Sequence, residues 1–215
     1  NSYMMQFSEE QKAHQETKDA AEKAEKVLSR DVSAEKTERI RENAQRMQMD
    51  NIEIQEWDAR CFDPEKEGKA DVVLLDVPCS GLGVMGKKRD IKYHITREGM
   101  ESLHALQREI VDVCSRYVKP GGTFLYSTCT VNPAENEAMV RYIAEELGFA
   151  PISVEEKLPE ALKAQKRETA ALRDEEGKKD GLNAEERRAC IQLLPGYMAA
   201  DGFFIAKFQK PLKAD

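Results

Sequence analysis

The chain has 215 residues, of which 34% are charged and 40% hydrophobic, and its formal net charge is −7. That length is enough for one α/β domain with a packed core. The acidic balance argues against a protein that binds nucleic acid over its whole surface. No apolar run approaches the ~20 residues that span a bilayer, and no signal-peptide pattern opens the sequence.

The cysteines point to a reducing compartment. They are odd in number, five in all, and no pair has the C-x-x-C spacing. This usage argues against a disulfide framework and against a structural metal site. We therefore predict a cytoplasmic location and no bound metal.

The periodicity of apolar residues predicts a polar leader followed by alternating strands and helices. Residues 1–26 are rich in Glu, Lys, Gln and Ala, which is typical of an exposed helix, and residues 27–215 form the predicted main domain. In chain order the predicted elements of that domain are strand 27–30, helix 34–48, strand 51–57, strand 71–76, helix 99–118, strand 123–128 and helix 133–147.

Local signals support several of these elements. Ser33 is a suitable N-cap for the first helix, and Ile40, Ala44 and Met47 mark its buried stripe. The run "DVVLLD" at 71–76 is continuously apolar, as expected of a strand covered on both faces. The sequence "KPGG" ends the helix over 99–118.

The alternation of strands and helices with short connections predicts a doubly wound, mostly parallel sheet. Residues 155–188 interrupt the pattern because they are densely charged and poor in apolar residues. We interpret them as a surface insertion, helical or partly disordered. The final apolar pieces, "CIQLLP" and "DGFFIAKFQK", are predicted strands at the sheet edge.

Polar residues follow the predicted strands, and ligands of open parallel sheets bind outside the carboxyl ends of the strands. Asp31 follows the first strand, Asp58 the second, Asp76 the third and Cys129 the fourth. Three acids and a thiol at one edge indicate a binding or catalytic site. For each aspartate a simple turn function remains an alternative, because strand ends favour Asp.

The segment "FLYSTCTVNPAENE" places Cys129 shortly before a predicted helix start. Asn132 is a suitable N-cap, Pro133 fits the first helical position, and Glu135 completes a capping box. The positive end of the helix dipole would stabilise a thiolate at Cys129. The alternative is an inert buried cysteine, which we favour for Cys114 inside its amphipathic helix.

A second thiol lies in "DVPCSGLG", residues 76–83. Pro78 stiffens the backbone beside Cys79, while Gly81 and Gly83 allow close approach to a flat ligand. The basic segment "GKKRDIKYHITR" follows directly. Taken alone, that segment is either a solvated loop or a phosphate-binding surface.

Three long motifs together resemble one family. The segments "DVPCSGLGVMGKKRDIKY", "LQREIVDVCSRYVKPGGTFLYSTCTVNPAENE" and "LLPGYMAADGFFIAKF" are similar to the RNA cytosine-C5 methyltransferases, in particular the bacterial 16S ribosomal RNA enzymes of RsmB/Sun/Fmu type. The resemblance runs from about residue 27 to the end, apart from the charged insertion. It implies a Rossmann-like fold that uses S-adenosylmethionine, has an antiparallel C-terminal edge, and makes 5-methylcytosine in RNA.

The resemblance also implies residue roles. Cys129 would be the nucleophile, and Cys79 would assist release of the methylated base. Asp31 would hold the cofactor ribose, Asp58 would face its adenine, and Asp76 would lie between the methyl donor and the cytosine. Independently of the resemblance, we expect contacts to RNA phosphate from the basic residues that directly follow the Pro-Cys loop, Lys87, Lys88, Arg89 and Lys92.

The sequence departs from the family pattern at its beginning. The family opens its catalytic domain with a strand and a Gly-rich cofactor loop, whereas here no glycine precedes Gly68. We therefore expect an N-terminally truncated catalytic domain. Two alternatives remain: a catalytically incomplete piece that at most binds RNA or a partner, and the same chemistry directed at transfer RNA.

Overall fold

The computed structural model describes residues 24–175, 181–195 and 201–212. Most of the predicted leader, residues 1–23, lies outside this range. The chain divides into two compact units, one ending at Cys61 and the other beginning at Phe62. Among the described residues, no helix has the length and apolar character that crossing a membrane requires.

The first unit contains a strand–helix–strand motif. Strand β1 (Val27–Asp31) pairs in parallel with β2 (Ile52–Glu56), and helix α1 (Ala34–Arg46) connects them. The predicted N-cap is confirmed, because Ser33 accepts a hydrogen bond from the backbone N–H of Lys36. Of the predicted stripe, Ala44 is buried, whereas Ile40 and Met47 are only half-buried.

The second unit is built on a five-stranded sheet. Its strands are β3 (Ala70–Asp76), β4 (Val118–Thr128), β5 (Ala150–Pro151), β6 (Cys190–Leu193) and β7 (Phe203–Gln209). Their order is β3–β4–β7–β5, with β6 also paired to β7. β3 is parallel to β4, whereas β7 is antiparallel to β4, β5 and β6. Its helices are α2 (Ile91–His94), α3 (Arg97–Ser115), α4 (Glu137–Arg141), α5 (Glu160–Glu175) and α6 (Ala184–Ala189). The expected antiparallel C-terminal part of the sheet is confirmed.

The core of this unit lies against one face of β4 and β7. Phe124 on β4 is opposite Phe208 on β7, and neither side chain is exposed. Met139 and Ile143, on the helical segment that follows β4, are equally buried. Burial of each large apolar side chain contributes about 2–3 kcal/mol, so this alternating pattern fixes which face of the strands is inward.

Strand β3 differs from its prediction in burial. Val72 is 57% exposed and Leu74 is 65% exposed. β3 stands at one end of the sheet order and its described pairing partner is β4. The expectation that both faces of this strand are covered is therefore wrong in the described part of the chain.

Two further boundaries differ because backbone pairing overrides local sequence signals. The "KPGG" segment was expected to precede the strand, but β4 begins at Val118. Gly121 donates its N–H to Lys210 O, and Gly122 O accepts from Lys210 N, so both glycines continue the ladder. Strand β7 was expected at an edge, yet it lies between β4 and β5.

The helix predicted over 133–147 begins later. Residues 133–136 form a turn, α4 starts at Glu137, and a single π-helical stretch, Tyr142–Glu146, follows it. The predicted capping box is absent because the Asn132 N–H donates to Thr130 Oγ1, and the Glu135 carboxyl is directed at Ser80 instead. The helix start is therefore more distant from Cys129 than the sequence suggested.

The charged segment over 155–188 is largely helical where it is described. Helix α6 has a capping box in which the Asn183 side chain and the Glu186 carboxyl bind each other's backbone N–H groups. Glu186 is 1% exposed and Leu182 is 7% exposed, so this part of the segment is packed against the unit. Its assignment as a separate insertion stays a prediction.

One close backbone approach closes the loop after β3. Gly202 donates its N–H to Gly83 O at 2.8 Å, and a Cβ placed on Gly83 would lie 2.3 Å from Gly202 O and 2.8 Å from Cys129 O. Both obstacles are backbone atoms, which cannot rotate away. Gly83 is therefore required by contact between two chain segments rather than by its own dihedral angles.

We expect Gly83→Ala to lower the free energy of unfolding by about 2 kcal/mol or more, because the added methyl forces the loop after β3 away from Gly202, which directly precedes β7. Gly86→Ala is the matched control, since a Cβ there meets nothing within 4 Å; it should change stability by less than about 0.5 kcal/mol. Urea unfolding of both variants provides the measurement. Equal stability of the two would contradict the described approach.

Candidate active site

The two thiols of the sequence motifs meet at one end of the β3–β4 pair. β3 ends at Asp76 opposite Ser127 of β4, so both strands deliver their carboxyl ends to the same edge of the sheet. Cys79 follows the first strand and Cys129 the second. Their sulfurs lie 3.2 Å apart. The structure therefore brings Cys79 and Cys129, from two separate sequence motifs, into direct contact.

Backbone hydrogen bonds lock the two cysteine loops together. Val77 N donates to Ser127 O at 3.2 Å, and Gly83 N donates to Cys129 O at 3.1 Å. These bonds bracket Cys79 on both sides. The loop that carries Cys79 therefore lies directly against the loop that carries Cys129.

A buried carboxyl group supports the Cys79 loop. Glu135 is fully buried and accepts from Ser80 N at 2.9 Å and from Ser80 Oγ at 2.5 Å. Gln107 of α3 donates from Nε2 both to Pro78 O and to Glu135 Oε2, each at 2.9 Å. The residues on either side of Cys79 are thus held by α3 and by the turn before α4.

A buried amide supports the Cys129 loop. Asn136 accepts from Thr128 Oγ1 at 2.7 Å and donates to Thr130 O at 3.0 Å. Its Nδ2 also donates to Gln192 Oε1 at 2.7 Å, and Gln192 Nε2 donates to Thr130 O at 3.3 Å. The residues on either side of Cys129 are therefore tied to one amide and to β6.

The four supporting side chains were not among the predicted site residues: Gln107, Glu135, Asn136 and Gln192. One signal was present: Gln107 lies between Leu103 and Ile110 on the apolar stripe of its helix, where a polar residue needs a buried partner. Cys114, farther along the same helix, is buried. Its structural interpretation fits that position.

The surroundings of Cys79 make it a weak acid. Burial first, and then the hydrogen bond to Cys129, raise the pKa of Cys79 to about 12. In the 3.2 Å contact between the two sulfurs either thiol can be the donor. Cys79 is therefore a neutral thiol near pH 7.

Asp76 is the acid nearest to this pair along the chain. It is the last residue of β3 and is exposed at the edge where the cysteine loops begin.

Tyr126 lies on β4, three residues before Cys129. It is fully buried and donates from its hydroxyl to Glu135 O at 2.7 Å. Burial raises the pKa of Tyr126, which keeps it a neutral donor.

Asp31 and Asp58 belong to the first unit, at the carboxyl ends of the parallel strands β1 and β2. Asp31 Oδ1 accepts from Ser33 N at 2.8 Å, and Lys36 Nζ lies 3.6 Å from its other oxygen. Asp58 is held by Arg60, whose hydrogen bonds lower the pKa of Asp58 to about 2. Both contacts are local turn contacts, so a cofactor role for either acid stays a prediction.

The basic segment is exposed next to the Cys79 loop. Lys87, Lys88 and Arg89 are all exposed, and Lys87 Nζ lies 2.6 Å from Asp201 Oδ2. The side chain of Lys92 lies outside the described part of the structure. The segment thus places cations near the thiols, but an RNA contact stays a prediction.

Comparison with known proteins gives a consistent family. The family model described as 16S rRNA methyltransferase RsmB/F matches residues 17–209. The chain is 34% identical over 187 residues to a probable ribosomal RNA small subunit methyltransferase B of Bacillus subtilis. It is 30% identical over 190 residues to a ribosomal RNA small subunit methyltransferase F of Klebsiella pneumoniae.

The chain belongs to the 16S rRNA methyltransferase RsmB/F family. The alignments cover 86% and 88% of this chain, but 37% and 36% of the two relatives. This RsmB/F chain therefore spans little more than a third of the curated relatives it matches.

Solved structures share the fold of the RsmB/F chain. PH0851 has a TM-score of 0.64 at 26% identity and covers 86% of this chain and 37% of its own. NSun6 from Pyrococcus horikoshii, solved with SFG, has a TM-score of 0.61 at 23% identity, with 87% and 42% coverage. A methyltransferase homologue from the same organism has a TM-score of 0.66 at 22% identity, with 86% and 53% coverage. The predicted Rossmann-like methyltransferase fold is confirmed.

We expect Cys79 of this RsmB/F chain to react slowly with iodoacetamide at neutral pH. Since its pKa is raised to about 12, its thiolate fraction should continue to grow about tenfold per pH unit above pH 9, where an ordinary thiol levels off. Peptide mass spectrometry over a pH series, with a model cysteine peptide in the same tube as reference, gives the rates. A Cys79 rate that levels off together with the peptide would contradict the raised pKa of Cys79.

Proposed function

We propose that the protein transfers a methyl group from S-adenosylmethionine to carbon 5 of cytosine in RNA, with 16S rRNA as the substrate, through a covalent adduct on Cys129. The observation that carries this proposal is the 3.2 Å separation of the Cys79 and Cys129 sulfurs at the carboxyl ends of neighbouring parallel strands. Membership of a family whose curated relatives are named small-subunit rRNA methyltransferases supports it.

The chemistry explains why a thiol nucleophile is needed. Carbon 5 of cytosine is a poor nucleophile, and addition of the Cys129 thiolate to carbon 6 converts the ring into an enamine that is nucleophilic at carbon 5. The bound cofactor supplies the electrophilic methyl group that carbon 5 takes up. Asp76, at the same sheet edge, is the proposed carboxyl group beside the ring, where it stabilises charge created by the addition.

Cys79 is suited to the release step. Burial, the hydrogen bond to Cys129 and the charge of Cys129 all raise the pKa of Cys79. Once Cys129 is bonded to carbon 6, the charge of Cys129 is gone, and Cys79 releases its proton to solvent more readily. Its thiolate then removes the proton from carbon 5; those electrons form the carbon 5–carbon 6 double bond, and the sulfur–carbon 6 bond breaks to return the Cys129 thiolate.

The acids of the first unit fit the cofactor by their chemistry. Carboxylates at the ends of parallel strands accept hydrogen bonds from ribose hydroxyls and adenine amino groups. Asp31 keeps acceptor capacity, because Ser33 N donates to one oxygen and Lys36 Nζ lies 3.6 Å from the other. Asp58 would have to exchange its contact with Arg60. The NSun6 structure with SFG, an S-adenosylmethionine analogue, supports this cofactor class.

The substrate must present an unstacked base, because a thiol attacks carbon 6 from the face of the ring. Single-stranded or looped RNA meets this requirement. Lys87, Lys88, Arg89 and Lys92 are the proposed phosphate contacts, since this segment directly follows the Cys79 loop. A reducing cytoplasm, where the thiols stay free, suits this chemistry.

A second candidate is a catalytically incomplete domain that binds RNA or a partner. The observation that favours it is that the Asp58 carboxylate is already held by Arg60. Binding of S-adenosylmethionine, followed by calorimetry, separates the two: no heat at millimolar cofactor favours the incomplete domain. The same chemistry on transfer RNA would appear as methylation of tRNA in preference to rRNA transcripts.

Covalent trapping tests the leading proposal. RNA containing 5-fluorocytosine, incubated with the protein and S-adenosylmethionine, should form an adduct that survives a denaturing gel. Fluorine replaces the hydrogen on carbon 5, so the release step has no proton to remove. We expect the adduct to be lost in Cys129→Ser. It should persist in Cys79→Ser and in Cys61→Ser, the latter an exposed cysteine of the first unit that serves as control.

The reverse pattern, with the adduct retained in Cys129→Ser and lost in Cys79→Ser, would exchange the two roles. An adduct that is absent from the unaltered protein would contradict the proposed function itself.

A further inference from the structure

We propose that Glu135 and Asn136, neighbours in sequence, are separate positioning residues for the two thiols. Glu135 holds the Cys79 loop and thereby controls base release, whereas Asn136 holds the Cys129 loop and thereby controls adduct formation. This inference rests on the proposed function for its assignment to reaction steps. The assignment to loops rests on the hydrogen bonds of the structure alone.

The contacts of Glu135 are those of a carboxylate built into the protein. Its side chain is fully buried. Oε1 accepts from Ser80 Oγ and Asn132 Nδ2, and Oε2 accepts from Ser80 N and Gln107 Nε2. Four donors on two oxygens offset the desolvation of a buried charge. Two of these bonds reach the residue that follows Cys79, so the carboxylate fixes that loop.

Gln107 supports the residue on the other side of Cys79. Its amide donates to Pro78 O and to Glu135 Oε2 from the same nitrogen. Pro78 and Ser80, on either side of Cys79, are therefore both hydrogen-bonded to the connected side chains of Gln107 and Glu135. Loss of either partner would leave buried polar groups unpaired, and the Cys79 loop would then be held less firmly.

Asn136 has the equivalent function for the other thiol. It is fully buried, binds the Thr128 hydroxyl through Oδ1, and binds Thr130 O through Nδ2. Gln192 on β6 repeats the bond to Thr130 O and also accepts from Asn136 Nδ2. Cys129 lies between the two threonines, so the amide pair fixes the backbone on both sides of it.

Among the described residues the two networks meet at Asn132, which donates to Glu135 Oε1 and to Thr130 Oγ1, and at the Ser80–Thr130 hydroxyl pair. Ser80 Oγ donates to Glu135, so the 2.8 Å contact with Thr130 Oγ1 has Thr130 as the donor. This bond sets the two loops against each other, while each loop keeps its own buried anchor. A change in one anchor should therefore disturb its own thiol much more than the other.

The test uses two pairs of variants that lead to the same two loops. Glu135→Gln and Gln107→Leu weaken the Cys79 anchor, and Asn136→Ala and Gln192→Leu weaken the Cys129 anchor. Glu137→Gln is the control for loss of a buried carboxyl, because Glu137 is 3% exposed and lies in the adjacent helix. If one member of a pair fails to fold, the other still tests the same anchor.

Thiol reactivity gives a readout that needs no RNA. In Glu135→Gln and Gln107→Leu we expect the alkylation rate of Cys79 to rise about tenfold while that of Cys129 changes less than about twofold. Asn136→Ala and Gln192→Leu should show the opposite selectivity, and Glu137→Gln should change neither rate. Equal changes at both thiols in all four variants would overturn separate positioning and leave a merely structural role.

Adduct kinetics test the assignment to steps. The Cys79-anchor variants should trap 5-fluorocytosine RNA at the unaltered rate, yet accumulate adduct on ordinary cytosine RNA because release is slow. The Cys129-anchor variants should trap about tenfold more slowly and accumulate nothing. Adduct accumulation in the Asn136→Ala protein would overturn the assignment. If the unaltered protein forms no adduct, the proposed function fails, and the alkylation rates still decide whether the anchors are separate.

Discussion

The hydrogen bonds of one buried carboxylate, that of Glu135, are the constraint on which the rest of this site depends. An uncompensated charge at that depth would be costly, so its four donors stabilise the folded domain. Those donors come from the loop after β3, from helix α3 and from the turn before α4. Satisfying one charge thus fixes three segments that are far apart in sequence.

The same requirement brings the two sulfurs together. With Ser80 held by Glu135 and the threonines held by Asn136, the remaining freedom of the loops is removed by backbone contact between Gly83 and Gly202. The two sulfurs then lie 3.2 Å apart, in hydrogen-bond contact. The raised pKa of Cys79 keeps that thiol protonated near pH 7, which suits two thiols with different tasks in one reaction.

Much of this arrangement could be predicted from the sequence because it depends on local patterns. The strand–helix–strand motif of the first unit, the cap at Ser33 and the two thiols at adjacent strand ends follow from periodicity and the geometry of parallel sheets. Glu135 is the instructive failure. Its spacing from Asn132 matched a capping box, but a buried partner at Ser80 outcompeted the local backbone, and no local rule contains that partner. The "KPGG" segment shows the same effect, since pairing with Lys210 extended β4 through a sequence that usually ends an element.

The most direct test of the central claim, that Cys79 and Cys129 face each other in one site, is the stoichiometry of a trivalent arsenical that bridges neighbouring thiols. Native mass spectrometry of the protein with phenylarsine oxide should show one tightly bound equivalent, lost in Cys79→Ser and in Cys129→Ser and retained in Cys61→Ser. Retention of that equivalent in both single variants would place the two sulfurs apart and contradict the account.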